Sequence, residues 1–193
     1  MVLYIYSFRK GARYYMRKIS YKIALGGIIS SLCLVCMFMT GVFPVLYIVL
    51  PMLAGLLMMV MNEEVDTKWA FLTYLATSII SVFVTFDKEA ALLYILLFGH
   101  YPIIKGYIDN IRNGLIKFLI KFLIFNLSFG IETFLAVVLL GSMEMYKQII
   151  EKGKWYIVFL IVMINMICFM YDYSLSGFYI TYVRKLKPKL RSS

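Results

Sequence analysis

Long apolar runs joined by short polar or basic segments constrain this chain more than any single motif does. Residues 90–98 are apolar, follow the charged residues 87–89, and lead through a turn containing Gly and Pro into a basic segment that ends at residue 112. An apolar run with two polar ends of different character is typical of a membrane crossing. Three further apolar runs precede it and two long ones follow it, so the pattern predicts a bundle organised around residues 87–112.

Composition places the chain in the membrane class and excludes a soluble globular domain. Of its 193 residues 63% are hydrophobic, whereas a soluble domain is about half apolar. The formal net charge of +10 would suit a nucleic-acid binder, but most Lys and Arg residues flank apolar runs. We therefore expect contact with the anionic lipid of a bilayer and no nucleic-acid partner.

The apolar runs predict an all-α integral membrane protein, built as a compact bundle of six transmembrane helices. We expect a single transmembrane domain over residues 1–193, without a linker to a second domain. Residues 1–20 form its basic N-terminal segment, residues 21–183 the bundle, and residues 184–193 a basic tail. The predicted crossings are residues 21–40, 45–61, 69–84, 87–112, 117–140 and 155–177, with a polar loop at 142–154.

Basic residues fix the predicted orientation, because cytoplasmic loops retain Lys and Arg. With the N-terminus inside, sixteen of the 20 Lys and Arg residues lie on the cytoplasmic side and four lie outside. Six crossings also keep both basic ends of the chain on one side, whereas five would separate them. The sequence thus predicts a multi-pass protein of the cell membrane with both termini cytoplasmic. The four outside residues are Lys88, Lys147, Lys152 and Lys154.

Ionisable residues inside the crossings are candidates for function, because a charge in hydrocarbon is costly. Glu132 lies about nine residues, or some 13 Å, below the outer end of its crossing. It either binds a cationic or hydrogen-bonding ligand or pairs with a basic side chain. Asp172 lies about 25 Å from the outer end of the last crossing, and we expect it to cap the interface or form an inner salt bridge. His100 is expected at headgroup level.

Any substrate is expected to enter from outside and to lie near the outer halves of the last two crossings. Polar groups in hydrocarbon need partners, and an outer cavity filled with water or ligand would provide them. The alternative is that Glu132 pairs with Lys88 or with a loop lysine and only stabilises the bundle. The expected substrate-binding residues are Asn126, Glu132 and Asn165, with Asp87, Lys88, Glu89 and Trp155 at the mouth.

The chain contains no motif typical of a hydrolytic or metal-dependent enzyme, so we expect no catalytic residue, no metal and no cofactor. Residues 63–68 are similar to the EExxxR motif of intramembrane CAAX-type proteases, but Lys68 replaces the arginine and His100 is the sole histidine. A P-loop and the HExxH zinc motif are also missing from the sequence. Cys33 and Cys36 have CxxC spacing, but without a second pair we interpret them as small apolar residues in a helix.

Small residues four positions apart, Gly27 and Ser31, lie on one face of the first crossing. In lipid, small side chains at this spacing let another helix approach closely. We therefore expect a helix contact at this face, either inside the bundle or with a partner subunit.

Three stretches resemble the substrate-binding S components of energy-coupling factor (ECF) transporters, in a little-characterised bacterial branch of that group. They are YKIALGG at residues 21–27, FPVLYIVLP at residues 43–51, and residues 87–105, from DKEAALLY to FGHYPIIK. The resemblance implies a membrane-embedded subunit that binds a vitamin or other micronutrient, together with a transmembrane coupling subunit and two ATPase subunits. In that family an AxxxA pattern contacts the coupling subunit, and Gly27 and Ser31 occupy its place here.

Two other classes of function stay open for a bundle of this kind. One is a membrane scaffold or assembly protein without a substrate, and the other is a small independent transporter or channel. A substrate binder is expected to hold several polar groups around an outer pocket. A scaffold is expected to be close-packed there, and a channel to show a continuous polar path.

Overall fold

The computed structural model describes the backbone of residues 2–141 and 143–186, and their side chains except at residues 2–18, 145, 146, 185 and 186. Within this part of the chain the long elements are α-helices and no strand is formed. The predicted basic tail lies outside the described residues from residue 187 onward. The helices are α1 (Val2–Val42), α2 (Val49–Glu64), α3 (Thr67–Val84), α4 (Lys88–Leu93), α5 (Tyr101–Asp109), α6 (Gly114–Leu140), α7 (Met143–Glu151) and α8 (Lys154–Thr181).

Among the described residues five segments are long and apolar enough to cross a membrane, which confirms the prediction of a multi-pass helical membrane protein. The second crossing that the sequence predicts corresponds to α2, which has 16 residues. At about 1.5 Å per residue it extends roughly 24 Å, less than the roughly 30 Å of a hydrocarbon core. The five spans are Ile19–Val42, Thr67–Val84, Lys88–Asp109, Gly114–Leu140 and Lys154–Arg184.

Helix α2 runs back along α1. The ammonium of Lys22, near the start of the first span, lies 2.8 Å from a carboxylate oxygen of Asp66, in the connection from α2 to α3. Since α1 leads away from Lys22 to Val42 and α2 returns from Val49 to Glu64, the two helices are antiparallel. We call this end of the bundle the Asp66 end and the opposite end, where α3 leads into α4, the Asp87 end.

Short polar residues start several helices by accepting hydrogen bonds from the first free backbone N–H groups. Asp66 accepts from Trp69 at the start of α3, and Asp87 accepts from Glu89 and Ala90 at the start of α4. At the C-terminus of α6, Gly141 has φ 68° and ends the helix in the left-handed conformation that glycine adopts most readily. The predicted polar loop that follows contains the helix α7.

The span Lys88–Asp109 is interrupted only at Gly99 and His100, two turn residues between the helical segments on either side, so the break that the sequence indicates at residues 99–102 is confined to them. A π-helical turn at Tyr94–Phe98 joins α4 to α5, with the Gly99 N–H donating to the Tyr94 carbonyl at 2.8 Å. This extra residue in the turn accommodates Pro102, which has no N–H and would clash in a regular α-helix. His100 consequently lies about 13 Å from the Asp109 end of the span, and its position at headgroup level stays a prediction.

The core consists of two clusters of buried apolar side chains that meet along this irregular span. The first joins α1, α2 and α3 around Met37, Met58 and Tyr74. The second joins the span itself to α6 and α8 around Phe125 and Tyr171. The irregular span thus lies between both halves of the bundle, as the sequence pattern around residues 87–112 predicts.

Candidate functional site

Two lysines and two aspartates form a closed ring of ion pairs between α5, α6 and α8. Lys105 contacts Asp109 at 2.9 Å and also contacts Asp172. Lys121 contacts the same two carboxylates at 2.7 and 2.8 Å. We call these four residues the charged ring. Of the two roles expected for Asp172, interface capping or an inner salt bridge, these contacts match the salt bridge.

The charged ring is buried most deeply at its lysines. Their side chains are 3% exposed at Lys105 and 8% at Lys121, whereas Asp109 is 37% exposed. The hydroxyl of Tyr101 donates a further 2.6 Å hydrogen bond to Asp172. Buried charges are tolerated when each has a partner, and here each ammonium has two. The ring therefore cross-links three helices without needing a ligand.

A cleft of about 450 Å³ opens beside the charged ring. The hydroxyl of Tyr107 on its rim donates to Thr67 Oγ1 at 3.1 Å, which places the cleft at the Asp66 end. None of the seven substrate-binding residues predicted from the sequence lines it. Its polar lining consists of Asn62, Glu63, Thr67, Lys105, Asp109, Asn110, Ser176 and Tyr179, with the backbone and side chain of Tyr107.

Glu132 lies on the inward face of α6, and the residue is only 8% exposed. It belongs to a stripe of buried residues at helical spacing, which also contains Lys121, Phe125, Ser128 and Ala136. Among the described residues no hydrogen bond or ion pair reaches its carboxylate. Glu132 is therefore a buried carboxylate without a protein partner in this part of the chain, unlike the carboxylates of the charged ring.

Glu132 interacts electrostatically with one other carboxylate, and Tyr47 with three. Glu89 interacts electrostatically with Glu132. Burial raises the pKa of the Tyr47 hydroxyl, and the carboxylates of Glu89, Glu132 and Asp87 raise it further. All three carboxylates therefore contribute to the electrostatic surroundings of this hydroxyl group. We call Tyr47, Asp87, Glu89 and Glu132 the acidic cluster.

Lys88 does not neutralise the acidic cluster by pairing with Glu132. Its ammonium donates to the carbonyl oxygens of Val82 at 2.8 Å and Thr85 at 2.6 Å, at the C-terminal end of α3. A cation is favourable there because the last carbonyl groups of a helix carry partial negative charge. The alternative in which Lys88 pairs with Glu132 is therefore wrong, and no other described lysine pairs with Glu132.

Asn126, Asn165 and Trp155, the other predicted substrate-binding residues, lie in two different places. Asn126 and Asn165 exchange two amide hydrogen bonds, at 2.9 and 3.2 Å, and so satisfy each other across the contact of α6 with α8. Trp155 is 88% exposed at the start of α8, on the surface of the helix. The structure thus pairs the two asparagines with each other and places Trp155 apart from them.

Gly27 and Ser31 face away from the bundle. A Cβ atom added at Gly27 would meet nothing within 4 Å, whereas one at Gly26 would lie 3.3 Å from Thr73 and 3.5 Å from Met61. Ser31 is exposed and donates its hydroxyl to the Gly27 carbonyl at 2.9 Å. Helix contact inside the bundle therefore uses Gly26, and the face with Gly27 and Ser31 is left open.

The described residues contain no metal centre. Among them, no group of three or more His, Cys, Asp or Glu side chains could hold a metal ion. The three cysteines are free, and the thiol of Cys33 donates weakly to the Ala54 carbonyl at 3.4 Å. Cys33 therefore serves packing between α1 and α2.

Sequence reasoning missed the charged ring and the partners of the irregular span. A signal for the ring was present, because Lys105 and Asp109 are four residues apart on one helix, as are Lys117 and Lys121. Pairing across helices could not be read from that spacing, since it depends on which faces of α5, α6 and α8 meet.

Comparison with models of known protein families, with curated proteins and with solved structures gave no match to this chain. The resemblance to S components therefore rests on the sequence stretches given above.

Proposed function

We propose that this protein is the membrane-embedded substrate-binding subunit of an uptake transporter, of the type that ECF S components represent. One observation carries the proposal: Glu132 is buried inside the bundle, and no partner for its carboxylate lies among the described residues. A carboxylate in such a place needs a proton or a bound ligand. The charged ring is already paired, so a solute site is best placed at Glu132.

Six crossings with both termini cytoplasmic form the topology that accompanies this function. The pairing of Lys22 with Asp66 supports it, because α2 must then return along the part of α1 between Val42 and Lys22. A short helix with a shielded backbone can cross where neighbouring helices surround it, and α2 packs against α1, α3, α5 and α8. Sixteen of the 20 basic residues then lie on the cytoplasmic side.

The open face of α1 is the proposed contact for a coupling subunit, which in turn binds two ATPase subunits. Support comes from Gly27, where an added Cβ would meet nothing within 4 Å of this chain. Small residues on an exposed transmembrane face allow a second helix to approach. The vitamin or micronutrient that the resemblance implies would be delivered to the cell by that complex.

Co-purification in mild detergent tests this proposal. We expect the tagged chain to retain one membrane coupling protein and two ATPases. Replacing Gly27 and Ser31 together by Leu should remove these partners while the chain still inserts in the membrane. Gly130→Leu is a matched control, because Gly130 is also an exposed glycine on a helix and a Cβ there meets nothing within 4 Å.

The outcomes separate the classes of function. Unchanged co-purification in the double variant would exclude this face of α1 as the contact. A wild-type chain that binds neither ATPases nor a coupling protein would instead favour a scaffold or an independent transporter. Solute uptake by the chain alone in liposomes would then distinguish these two.

A further inference from the structure

We propose that the cleft beside the charged ring, together with a groove that adjoins it, binds a membrane phospholipid whose headgroup ends in a primary ammonium, such as phosphatidylethanolamine. The ammonium lies in the cleft, and an acyl chain lies in the groove. This inference goes beyond the proposed function, because it requires neither Glu132 nor a coupling subunit.

The groove and the cleft share two of their wall residues. The groove has a volume of about 480 Å³, and Thr67 and Ile103 line it as well as the cleft. Phe71 and Leu72 of α3 also line the groove, and both are exposed. The groove therefore opens on the surface that the bundle presents to lipid, and one ligand can reach both spaces.

Polar and apolar walls follow each other in the order of the parts of a phospholipid. The cleft lies where two membrane spans end, since Thr67 begins one span and Asp109 ends another. The groove extends from there toward the middle of the same spans, past Phe71 on α3 and Ile104 on α5. Headgroups lie at the ends of a crossing helix and acyl chains along its middle. A headgroup in the cleft therefore places its acyl chain in the groove.

Two acceptors in the cleft fit an ammonium group. The side-chain oxygen of Asn62, a residue of the cleft wall, is buried and accepts no hydrogen bond from the described residues. An unpaired buried acceptor is costly, and a donor from a ligand offsets that cost. The carboxylate of Asp109 in the same wall is 37% exposed and pairs with one lysine at each oxygen, which leaves it capacity for a further donor. An ammonium has three N–H donors and can bind both groups.

The charges of the cleft disfavour an anionic headgroup. Lys105, whose side chain is 3% exposed, already pairs with Asp109 and Asp172. An anion in the cleft has to displace one of these carboxylates or lie against it without a counter-charge. A choline headgroup has no N–H donor and leaves the oxygen of Asn62 unpaired. A primary ammonium therefore fits the cleft best.

Lys68 provides a cation for the phosphate of the same lipid. It follows Thr67 in the sequence, lines the groove and is exposed. It forms no ion pair with any other residue in the described part of the chain, and lysine is a common phosphate ligand. The ammonium of a zwitterionic headgroup thus meets acceptors in the cleft, and its phosphate meets a cation beside the cleft.

Native mass spectrometry of the wild-type protein provides the first test. The detergent-solubilised chain is mixed with equal amounts of dioleoyl phosphatidylethanolamine, phosphatidylcholine and phosphatidylglycerol. We expect the adduct with phosphatidylethanolamine to be several-fold more abundant than either of the others. An adduct of the choline lipid or of the glycerol lipid as abundant as that of the ethanolamine lipid would overturn the proposal.

Two variants separate the ammonium from the phosphate. Asn62→Leu should reduce the ethanolamine adduct to the level of the choline adduct, and should leave the fold intact because the oxygen it removes has no partner among the described residues. Lys68→Gln should weaken both of these adducts alike, whereas Lys147→Gln, which changes an exposed lysine of α7, should weaken neither. The thermal unfolding midpoint without added lipid verifies that each variant is folded. A preference for the ethanolamine lipid that survives in folded Asn62→Leu would contradict the proposal.

Discussion

The hydroxyl of Tyr171 donates a 3.3 Å hydrogen bond to the carbonyl oxygen of Phe98, the oxygen for which Pro102 provides no N–H. In the same span, the Tyr74 hydroxyl donates at 2.6 Å to the carbonyl oxygen of Ile95. Tyr171 belongs to α8 and Tyr74 to α3, so two different helices complete the backbone bonding of the irregular span. Because an unpaired backbone group is costly in lipid, these tyrosines stabilise the π-helical turn.

Gly55 permits this arrangement, and we expect Gly55→Ala to disrupt it. An added Cβ would lie 2.2 Å from the Phe98 carbonyl oxygen and 2.3 Å from the Tyr171 hydroxyl oxygen. Such overpacking costs about 1–3 kcal/mol of the free energy of unfolding, which a denaturing-detergent titration measures. Gly130→Ala is the control, because its Cβ would meet nothing within 4 Å. Equal losses at both positions would contradict the explanation.

Tyr171→Phe separates the hydrogen bond from the packing of the ring. The variant keeps the edge-to-face contact with Phe98, whose ring centroid lies 5.1 Å away, and removes only the hydroxyl. We expect the free energy of unfolding to fall by about 1 kcal/mol, a value typical of hydrogen bonds between transmembrane helices. Tyr173→Phe removes a hydroxyl from a residue that is 81% exposed and should have no measurable effect. A loss confined to Tyr173→Phe, or equal in both, would refute this role.

The charged ring predicts which of two aspartate variants loses more of the free energy of unfolding. Asp172→Asn leaves Lys105 and Lys121 with only Asp109, in a buried place, and should lower the free energy of unfolding by about 2–3 kcal/mol. Complete loss of a partner for a buried charge costs roughly 3–5 kcal/mol. Asp109→Asn should cost less, about 1 kcal/mol, since its side chain is 37% exposed against 15% for Asp172. The same detergent titration measures both, and a reversed order would exclude the proposed ring.

Periodicity and apolar length predicted the helices, and the residues that end them were visible as well. Asp66, Asp87 and Gly141 stand at helix ends, where short polar residues and glycine are favoured. The continuous path through Pro102 was missed. A proline normally indicates a break, and only the hydroxyl of Tyr171, 69 residues later in the sequence, reveals that the freed carbonyl has a partner.

The position of a candidate residue along its helix can be counted from the sequence, but its position around the helix axis cannot. Glu132 lies on the buried stripe of α6, and its depth in the membrane stays a prediction. The mutual pairing of Asn126 and Asn165 depends instead on the rotation of two helices about their axes. A single sequence does not specify that rotation, because both faces of a lipid-embedded helix are apolar.

The proposed six-crossing topology predicts where reporter enzymes fused to this chain will be active. We expect fusions after Lys88 and after Lys152 to report the outside, and a C-terminal fusion to report the cytoplasm. The reason is the number of crossings, since six return the C-terminus to the side of the N-terminus and five do not. A fusion after Lys68 supplies the control and should read inside. An outside C-terminus would mean that α2 does not cross.

The ion pair of Lys22 with Asp66 predicts a pH dependence at the Asp66 end. The hydrogen bond from Lys22, together with the backbone N–H of Trp69, lowers the pKa of Asp66 from its ordinary value of 3.8. A carboxyl group with a lowered pKa stabilises the folded state above that ordinary value and loses this contribution as pH falls through the folded-state pKa. The effect should be below about 1 kcal/mol, since the Asp66 side chain is 42% exposed.

Asp66→Asn keeps a good N-cap and removes only the charge. We therefore expect the thermal midpoint of the wild type to exceed that of Asp66→Asn at pH 7 and to approach it at pH 3. A difference that is equal at both pH values would exclude Asp66 ionisation as its cause.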